Sequence, residues 1–529
     1  MQFHPFTLII QALLSLFLIS YITKWLYKKT YGNKKNLPPS PPKLPILGNL
    51  HQLGLLPHRN LQSLAKKYGP IMLLHFGNKP TLIVSSADSA REIMKTHDVI
   101  FSDRLESSVG KRLLYNCKDV SIAPYGEYWR QLKSICVLQL LSNKRVQSFH
   151  YIREEETALL MKRIKREYPT GSIDLSEMLT QFTNDVVCRS AFGKKYSAVE
   201  NGKKFILLLK ELLELLGTIS IGDFVPMLSW INRVNGFDAR VDKVAREFDE
   251  FFEGVIRERM ENPKKLHGDN FLDILLHIYQ NNSTGVTIDR DSIKAIILVS
   301  TFGFRVYCIQ HPCFFFRLIA KKSFPRQDVF AAGTDTTSTL LEWEMTELLR
   351  NPTIMKKLQH QVREVVKDKN GIITENDLEK MPYLKAVIKE TLRLHAPIPL
   401  LPRVARKYVK VMGYDISAGT LVMTNVWAIG RDPASWHEPE KFDPDRFFDS
   451  RVDYQGLDFE LIPFGAGRRG CPGISFATAT NGFLLANLVR EFDWALPDDV
   501  EDLDMSERPG VAIHRAVPLV AVAKQYYYV

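Results

Sequence analysis

The sequence is poor in cysteine, and its cysteines follow no regular spacing. Six of its 529 residues are cysteines. They stand at Cys117, Cys136, Cys188, Cys308, Cys313 and Cys471. A disulfide-bonded scaffold needs dense and regularly spaced cysteines, so this class is excluded and a reducing compartment is favoured.

A basic tail and a flexible linker are also missing. The formal net charge is +11, but the lysines and arginines are spread along predicted helices and form no block of the kind that binds nucleic acid. They favour an acidic membrane surface or an acidic protein partner, and we expect no nucleic-acid partner. Since no Gly/Ser-rich linker and no internal repeat divides the chain, we predict one large folded unit.

A long apolar run occurs once, near the N-terminus. Residues 6–26 are almost entirely apolar, which is about the length that crosses a bilayer as a helix. Lysines follow this run rather than precede it, which favours a retained anchor over a cleaved signal peptide and leaves the rest of the chain in the cytosol. We therefore predict a single transmembrane helix within residues 1–29, a basic, proline-rich hinge at 30–50, and one folded domain at 51–529.

Hydrophobic periodicity predicts a mainly α fold with a minor β part. Apolar residues recur at intervals of three and four in residues 88–96, 128–141, 152–166, 175–191, 203–216, 238–261, 271–280 and 383–395. The only strands predicted are 71–76 and 81–85, which flank Gly77–Pro80 as a hairpin.

Cys471 lies in a loop, residues 463–473, that is rich in glycine, arginine and proline. Such a loop lets the backbone approach a ligand closely while a thiolate points at it. We interpret Cys471 as a haem-iron ligand. The alternative is a buried apolar cysteine, which is common for a lone cysteine in an intracellular protein.

A second unusual segment, residues 331–339, reads AAGTDTTST at the start of a predicted helix. Helices favour neither glycine nor so many hydroxyl side chains. A glycine beside hydroxyls lets a small ligand lie against the backbone, and Asp335 beside Thr336 can relay protons through water. The alternative is a polar first turn with a threonine or aspartate cap.

Two further helices carry polar pairs at helical spacing. Trp129 and Lys133 share one face, where an indole donor and a cation suit a buried carboxylate; a core tryptophan beside a solvent lysine is the alternative. Glu390 and Arg393 can pair on another helix. If Arg446, from a proline-braced loop, joins them, the result is a buried three-charge lock.

Together these motifs resemble the cytochrome P450 monooxygenases. The family's cysteine-loop pattern is matched at Phe464, Gly467, Arg469, Cys471 and Gly473. Residues 332–337 resemble its oxygen-activation motif, and Glu390, Arg393 and Arg446 resemble its structural charge cluster. The anchor and hinge resemble the endoplasmic-reticulum class, and residues 129–136, 432–433 and 462–472 resemble the plant A-type enzymes of the 71 clan.

The resemblance implies the cytochrome P450 fold and haem b as cofactor, with the thiolate of Cys471 as axial iron ligand. By the same resemblance, Phe464 belongs to the haem-binding loop, while Asp335 and Thr336 deliver protons for oxygen activation. The residues that would hold the haem propionates are Arg469, Trp129, Lys133 and Arg403. Lys133 stands where the family more often has arginine; it keeps the charge without the bidentate fork.

The implied function is insertion of one atom of O2 into a small lipophilic plant metabolite, namely a terpenoid, an aldoxime or a phenolic. Electrons would come from NADPH through NADPH–cytochrome P450 reductase, with cytochrome b5 as a further partner. The expected location is the endoplasmic reticulum membrane, with a single span and a cytosolic catalytic domain.

One segment departs from the family pattern. Residues 299–327 interrupt the helix that bears the 332–337 motif, and they contain a glycine, two prolines and no acidic residue. We interpret them as a retained intron, because the codons at both ends of the segment can contain splice-site dinucleotides. Every valine codon begins with GT, the donor dinucleotide, which suits Val299, and the glutamine codon CAG contains the acceptor dinucleotide AG, which suits Gln327. The alternatives are a true surface insertion and a metal site. The candidate ligands of such a site are Cys308, His311 and Cys313. A retained intron would give a product that binds haem but is catalytically impaired.

Overall fold

The computed structural model describes residues 35–196, 200–218, 220–261, 270–281, 288–302, 332–367 and 373–527, with Ser15, Ile19 and Thr23. Its helices are α1 Pro57–Tyr68, α2 Ala87–Arg91, α3 Ser108–Leu113, α4 Glu127–Ser134, α5 Asn143–Ser148, α6 His150–Glu167, α7 Leu175–Phe192, α8 Glu200–Gly217, α9 Ile221–Phe224, α10 Ile231–Val234, α11 Phe237–Glu261, α12 Phe271–Asn281, α13 Arg290–Phe302, α14 Ala332–Arg350, α15 Pro352–Val365, α16 Pro382–Leu394, α17 Val426–Ile429 and α18 Ile474–Glu491. The prediction of a mainly α fold is confirmed.

The strands are short and form four small sheets in the described part of the chain. They are β1 Ile71–Phe76, β2 Lys79–Val84, β3 Ile173–Asp174, β4 Leu400–Val404, β5 Val409–Val411, β6 Tyr414–Ile416, β7 Leu421–Asn425, β8 Phe492–Ala495, β9 Glu507–Arg508, β10 His514–Arg515 and β11 Val520–Gln525. The largest sheet has the order β1-β2-β7-β4.

The predicted hairpin is β1 and β2, which pair in antiparallel register from Ile71↔Val84 to Phe76↔Lys79. The expectation that strands occur only there was wrong. β7 pairs in parallel with β2, and β4 pairs antiparallel with β7. These strands lack a clear alternation of apolar and polar residues, because β7 is buried along its whole length and β4 contains Pro402 and Arg403.

The segments predicted as helices match helices in the structure, and local sequence explains several of their ends. Asp174 caps α7 by accepting a hydrogen bond from Glu177 N, and Gly193 ends the helix with a left-handed φ of 74°. The predicted segment 128–141 is α4 extended by a π-helical turn, Ile135–Leu140.

Helix α14 lies at the centre of the fold. It packs against α7, α13, α16 and α18, and Trp343 and Met345 on it are almost fully buried. A helix that is covered on all sides can hold its polar first turn in a fixed position. Residues 334–339 of the AAGTDTTST segment are therefore held at a defined place inside the protein.

The N-terminal predictions fall partly outside the described residues. The hinge from residue 35 onward docks on the main sheet, since Leu73 N donates to Pro39 O over 2.8 Å. The predicted transmembrane helix within 1–29 lies outside the described residues apart from Ser15, Ile19 and Thr23. In the part of the chain that the structure describes, no single helix has the length and apolar composition of a membrane span; one bent pair, Leu207–Phe224 with Pro226–Val234, meets both together.

The predicted insertion, residues 299–327, begins within α13, which ends at Phe302, and α14 follows it from Ala332. Its residues 303–327, with the candidate ligands Cys308, His311 and Cys313, lie outside the described residues. Among the residues that are described, no cluster of His, Cys, Asp or Glu could hold a metal ion. The described cysteines, Cys117, Cys136, Cys188 and Cys471, are free thiols.

Candidate active site

The cysteine loop folds tightly just before α18. Cys471 N donates to Phe464 O over 3.0 Å, and Gly470 N donates to Gly467 O over 3.0 Å. Gly467 has a φ of 64°, and a Cβ there would lie 2.4 Å from Met94 O. Only glycine fits this left-handed position against a neighbouring backbone, so the loop is held in one shape.

The surroundings of the Cys471 sulfur favour a thiolate when a cation binds it. Burial raises the pKa of the Cys471 thiol, while the Gly473 N–H, 3.3 Å from Sγ, and the Lys133 cation lower it. The sulfur also lies at the start of α18, where the helix dipole favours negative charge. Burial prevails in the protein alone, so a cationic metal is what would hold Cys471 as a thiolate.

Cys471 faces a cavity whose walls are largely apolar. Among the described residues that line it are three arginines, Arg104, Arg403 and Arg469, and no aspartate or glutamate. Thr336 and Thr337 from α14 also line it. The cavity thus has a thiol, a hydroxyl-bearing helix and a cationic edge.

The arginines are held by backbone carbonyls. Arg469 donates through Nε to Ser102 O and through Nη2 to Ala123 O, both over 2.6 Å. Arg403 donates to Ala466 O and pairs with Asp98 Oδ1 at 2.8 Å. Arg104 donates to Ser121 O over 3.0 Å and to Pro402 O.

The electrostatics of this edge favour an anionic ligand. Burial lowers the pKa of Arg469 to about 9 and that of Lys133 to about 8. Burial, and then repulsion from Arg469 and Arg403, lowers the pKa of Arg104 well below its usual value. A ligand with carboxylates at this edge would offset the cost of burying these cations.

Trp129 and Lys133 on α4 join this edge. The guanidinium carbon of Arg469 lies 4.2 Å from the Trp129 ring centroid. The Trp129 Nε1–H donates to Val120 O over 2.9 Å, and Lys133 Nζ donates to Gly470 O over 2.7 Å. The helix face predicted from the spacing therefore meets the cysteine loop, with its donors on backbone carbonyls.

The structure separates the two residues expected to handle protons. Thr336 lines the cavity, whereas Asp335, next along α14, is almost fully buried and contacts His514, with Oδ1 2.8 Å from Nε2. Among the described residues, Thr336 and Thr337 line the cavity, and Asp335 is directed at His514 instead.

Glu390, Arg393 and Arg446 form the predicted three-charge cluster. Arg393 donates from Nε to Glu390 Oε2 over 2.7 Å and from Nη2 to Oε1 over 2.8 Å. Arg446 Nε donates to the same Oε1 over 3.1 Å. Arg393 also donates to Gly430 O, Pro439 O and Lys441 O, so the cluster ties α16 to the segment that leads to the cysteine loop.

These residues fit a haem. A flat apolar ring with two carboxylates on one side needs apolar walls, a cationic edge and a protein ligand for its iron. In this cavity the lining provides the apolar walls and the sulfur of Cys471 provides the iron ligand. The cationic edge is formed by Arg104, Arg403 and Arg469.

Comparison with known proteins agrees with this chemistry. The Cytochrome P450 family matches residues 38–303 and 326–520. The chain is 60% identical to "Cytochrome P450 71A8" of Mentha piperita, over 98% of this chain and 95% of that protein. The chain belongs to the cytochrome P450 family.

Two further similar proteins indicate the type and the fold of this cytochrome P450. It is 47% identical to "(+)-menthofuran synthase" of Mentha piperita, over 94% of each chain. A zebra fish cytochrome P450 solved with abiraterone has the same fold, with a TM-score of 0.71 at 24% identity over 90% of this chain and 100% of that one. The protein is a plant cytochrome P450 of the 71 type, an oxidoreductase of the monooxygenase class, and its family implies haem as the cofactor.

Two residues of this cytochrome P450 site were not found from the sequence. Arg104 matches none of the sequence motifs, although it belongs to the cationic edge. His514 carried no signal, because it lies on a two-residue strand near the C-terminus and meets Asp335 only through the tertiary fold.

Proposed function

We propose that this cytochrome P450 inserts one atom of O2 into a small lipophilic plant metabolite, with a terpenoid as the first candidate and aldoximes and phenolics as the others. The observation that carries the proposal is the shared cavity of Cys471, Thr336 and the arginine edge. The relative named (+)-menthofuran synthase supports the terpenoid candidate.

The chain's own residues have separate tasks in this function. Cys471 would hold the iron, while Arg104, Arg403, Arg469 and Lys133 would hold the propionates at the cationic edge. When bound, the thiolate-ligated haem supplies the chemistry of O2 activation. Thr336 offers a hydroxyl to the cavity.

The cavity walls determine which substrates can enter. Val187, Phe271, Ile398 and Leu401 line it, and all four are apolar. Apolar walls exclude water and favour a substrate with few polar groups. This composition supports a lipophilic substrate of small size, oriented by few hydrogen bonds.

Electron supply is the next part of the proposal. Exposed cations lie in the cysteine loop and on two helices that contact the loop or α18. They are Arg468 in the loop, Arg130 on α4, whose Lys133 donates to Gly470 O, and Lys144 on α5, whose Asn143 contacts Ser475. Exposed cations favour an acidic partner, because charge complementarity steers association. NADPH–cytochrome P450 reductase would dock there, with cytochrome b5 as a second partner, on an endoplasmic reticulum membrane that residues 1–29 would anchor.

The experiment is turnover in microsomes that contain the protein and a plant NADPH–cytochrome P450 reductase. A panel of terpenoids, aldoximes and phenolics is supplied under 18O2, and products are analysed by mass spectrometry. We expect NADPH-dependent products with one labelled oxygen, and none from the Cys471→Ser variant. Products without label, or no product from the whole panel in spite of a normal haem spectrum, would contradict the proposal.

A second candidate is a haem-binding but catalytically impaired product of mis-splicing. The family match breaks off at residue 303 and resumes at 326, within the segment interpreted as a retained intron, residues 299–327. Val299, from this segment, lines the cavity. Its retention would therefore alter both the helix and the substrate pocket.

Sequencing of the transcript and a deletion variant test this candidate. We expect messages without the codons for 299–327, and we expect the deleted protein to incorporate more haem. The measure is the red-shifted Soret band of the ferrous carbon monoxide complex per unit protein. Equal bands in both forms, or messages that always retain the codons, would contradict the second candidate.

A further inference from the structure

The carboxylate of Asp335 faces a histidine from the other end of the chain. His514 Nε2 lies 2.8 Å from Asp335 Oδ1, and the Asp335 side chain is 1% exposed. The same imidazole contacts Thr339, one turn further along α14, with Nδ1 3.0 Å from Thr339 Oγ1. The ring therefore bridges two successive turns of the helix.

The hydrogen atoms at this contact can be assigned from donor capacity. The Thr339 hydroxyl donates to Asp335 O over 2.6 Å. A hydroxyl has one hydrogen, so Oγ1 accepts from His514, and Nδ1 carries a proton. Nε2 lies within ion-pair distance of Asp335 Oδ1, although the two atoms do not have the alignment of a hydrogen bond. A protonated imidazole would therefore attract the carboxylate by its charge.

Contacts on both sides of His514 fix the ring against α14. Trp343 Nε1 donates to Ile513 O over 2.8 Å, and Arg515 Nη1 donates to Thr346 Oγ1 over 3.0 Å. Strand β10 is therefore attached to α14 at three consecutive residues. The distance between the imidazole and Asp335 is set by backbone and side-chain bonds that do not depend on either charge.

We propose that His514 positions Asp335 and resupplies its proton, so that the acid of the oxygen-activation motif is an Asp335–His514 pair. This inference rests on the proposed function and deepens it. In the step, the Nε2–H bond of His514 breaks as the Oδ1–H bond of Asp335 forms. The N–H electron pair stays on Nε2, and no oxidation state changes. His514, whose side chain is 13% exposed, takes the replacement proton from water.

Imidazole suits this task because it exchanges protons near neutral pH, which carboxylates and guanidinium groups do not. The charged groups around His514 are balanced in sign. Asp335 and Glu342 face it from α14, while Arg508 pairs with it across β9 and β10 and Arg515 follows it. Neither sign dominates around the ring.

The test compares His514→Gln with the matched control His437→Gln, whose ring is 93% exposed. Turnover is measured between about pH 6 and 8.5 in H2O and D2O, because histidine titrates in this range. The readout is the fraction of oxidised NADPH that yields product rather than hydrogen peroxide. We expect His514→Gln to lower this fraction roughly tenfold and to enlarge the solvent isotope effect.

A second readout needs no turnover. Denaturant unfolding of wild type, Asp335→Asn, His514→Gln and the double variant gives a double-mutant cycle, and we expect the two substitutions to be non-additive. If wild type makes no product from any substrate, the proposed function fails, and the cycle alone then decides the role of His514.

Additive unfolding, with a product fraction and isotope effect equal to those of His437→Gln, overturns the inference. If His514→Gln fails to give the red-shifted carbon monoxide band, Thr339→Val replaces it, because this change keeps the imidazole and removes its Nδ1 acceptor. We then expect the same loss of product fraction in Thr339→Val and recovery in Thr339→Ser; equal fractions in the two variants overturn the inference as well.

Discussion

Replacing Glu390 by glutamine should destabilise the protein severely. Glu390 and Arg393 have fully buried side chains, and Arg446 is 11% exposed. Oε1 accepts from Arg393, Arg446 and Asp443 N, and Oε2 accepts from Arg393 Nε over 2.7 Å. An amide NH2 in place of Oε2 sets a donor against a donor at that distance. The change also removes the negative charge between two buried cations.

The magnitude follows from this geometry. Removing one partner of a buried ion pair costs about 3–5 kcal/mol, because the remaining charge stays buried without compensation. Folded proteins are stable by about 5–15 kcal/mol, so Glu390→Gln should remove a large share of the free energy of unfolding. We expect most of the purified variant to lack the red-shifted carbon monoxide band.

The assay is denaturant unfolding followed by tryptophan fluorescence and by the haem band. The matched control is Glu127→Gln, which breaks a Glu–Arg pair of the same spacing with Arg130 on the surface, at 68% and 56% side-chain exposure. Exposed pairs contribute about 0–1 kcal/mol. If Glu390→Gln unfolds within about 1 kcal/mol of Glu127→Gln, burial does not make this cluster critical and the reasoning is wrong.

Three further predictions concern acid, haem retention and the thiol. Burial would raise the pKa of Glu507, but hydrogen bonds from His58 and Arg59 outweigh it and lower the pKa from 4.5 to about 2. The ionised carboxylate therefore contributes about 3 kcal/mol to the free energy of unfolding. This contribution is complete above about pH 4.5 and is lost towards pH 2. Glu507→Gln should therefore lower stability at neutral pH and weaken its fall between those pH values, as acid titration of unfolding will show; an unchanged fall contradicts this. Arg104→Met should lose haem on the order of tenfold faster to a haem-scavenging protein, because a charged hydrogen bond is worth about 1.5–3 kcal/mol, whereas Arg130→Met, on the surface, should match wild type. Cys471→Ser should lack the red-shifted carbon monoxide band; its presence would refute thiolate ligation.

The parts of the fold that the sequence predicts well are those encoded locally. The hairpin of β1 and β2 has its turn signal between its strands, and α7 carries its cap and its terminal glycine. Strands β4 and β7 have no such signal, because they are paired with distant partners and β7 is buried on both faces. Sequence periodicity cannot distinguish such a short buried strand from other apolar segments.

The candidate site also contains residues whose role is encoded locally and residues whose role depends on the tertiary fold. Cys471 and its glycines are adjacent in sequence, so the chemistry of the loop residues alone indicates their role. Trp129 and Lys133 could be placed on one helix face, although not against the cysteine loop. Arg104 and His514 acquire their importance from residues far away in the chain, Arg403 and Asp335, and only the folded structure brings them together.

We expect the cationic edge of the cavity to link the amount of this protein to the haem supply of the cell. In the protein alone Arg403 has Asp98 as a carboxylate partner, whereas Arg104 and Arg469 donate to backbone carbonyls. Since haem propionates would offset the cost of burying these cations, we expect the unloaded protein to be the less stable form. A ligand that binds only the folded state shifts the equilibrium towards it. Cells that are short of haem should therefore degrade this protein through their quality-control proteases, and its abundance should follow haem synthesis even at constant transcription.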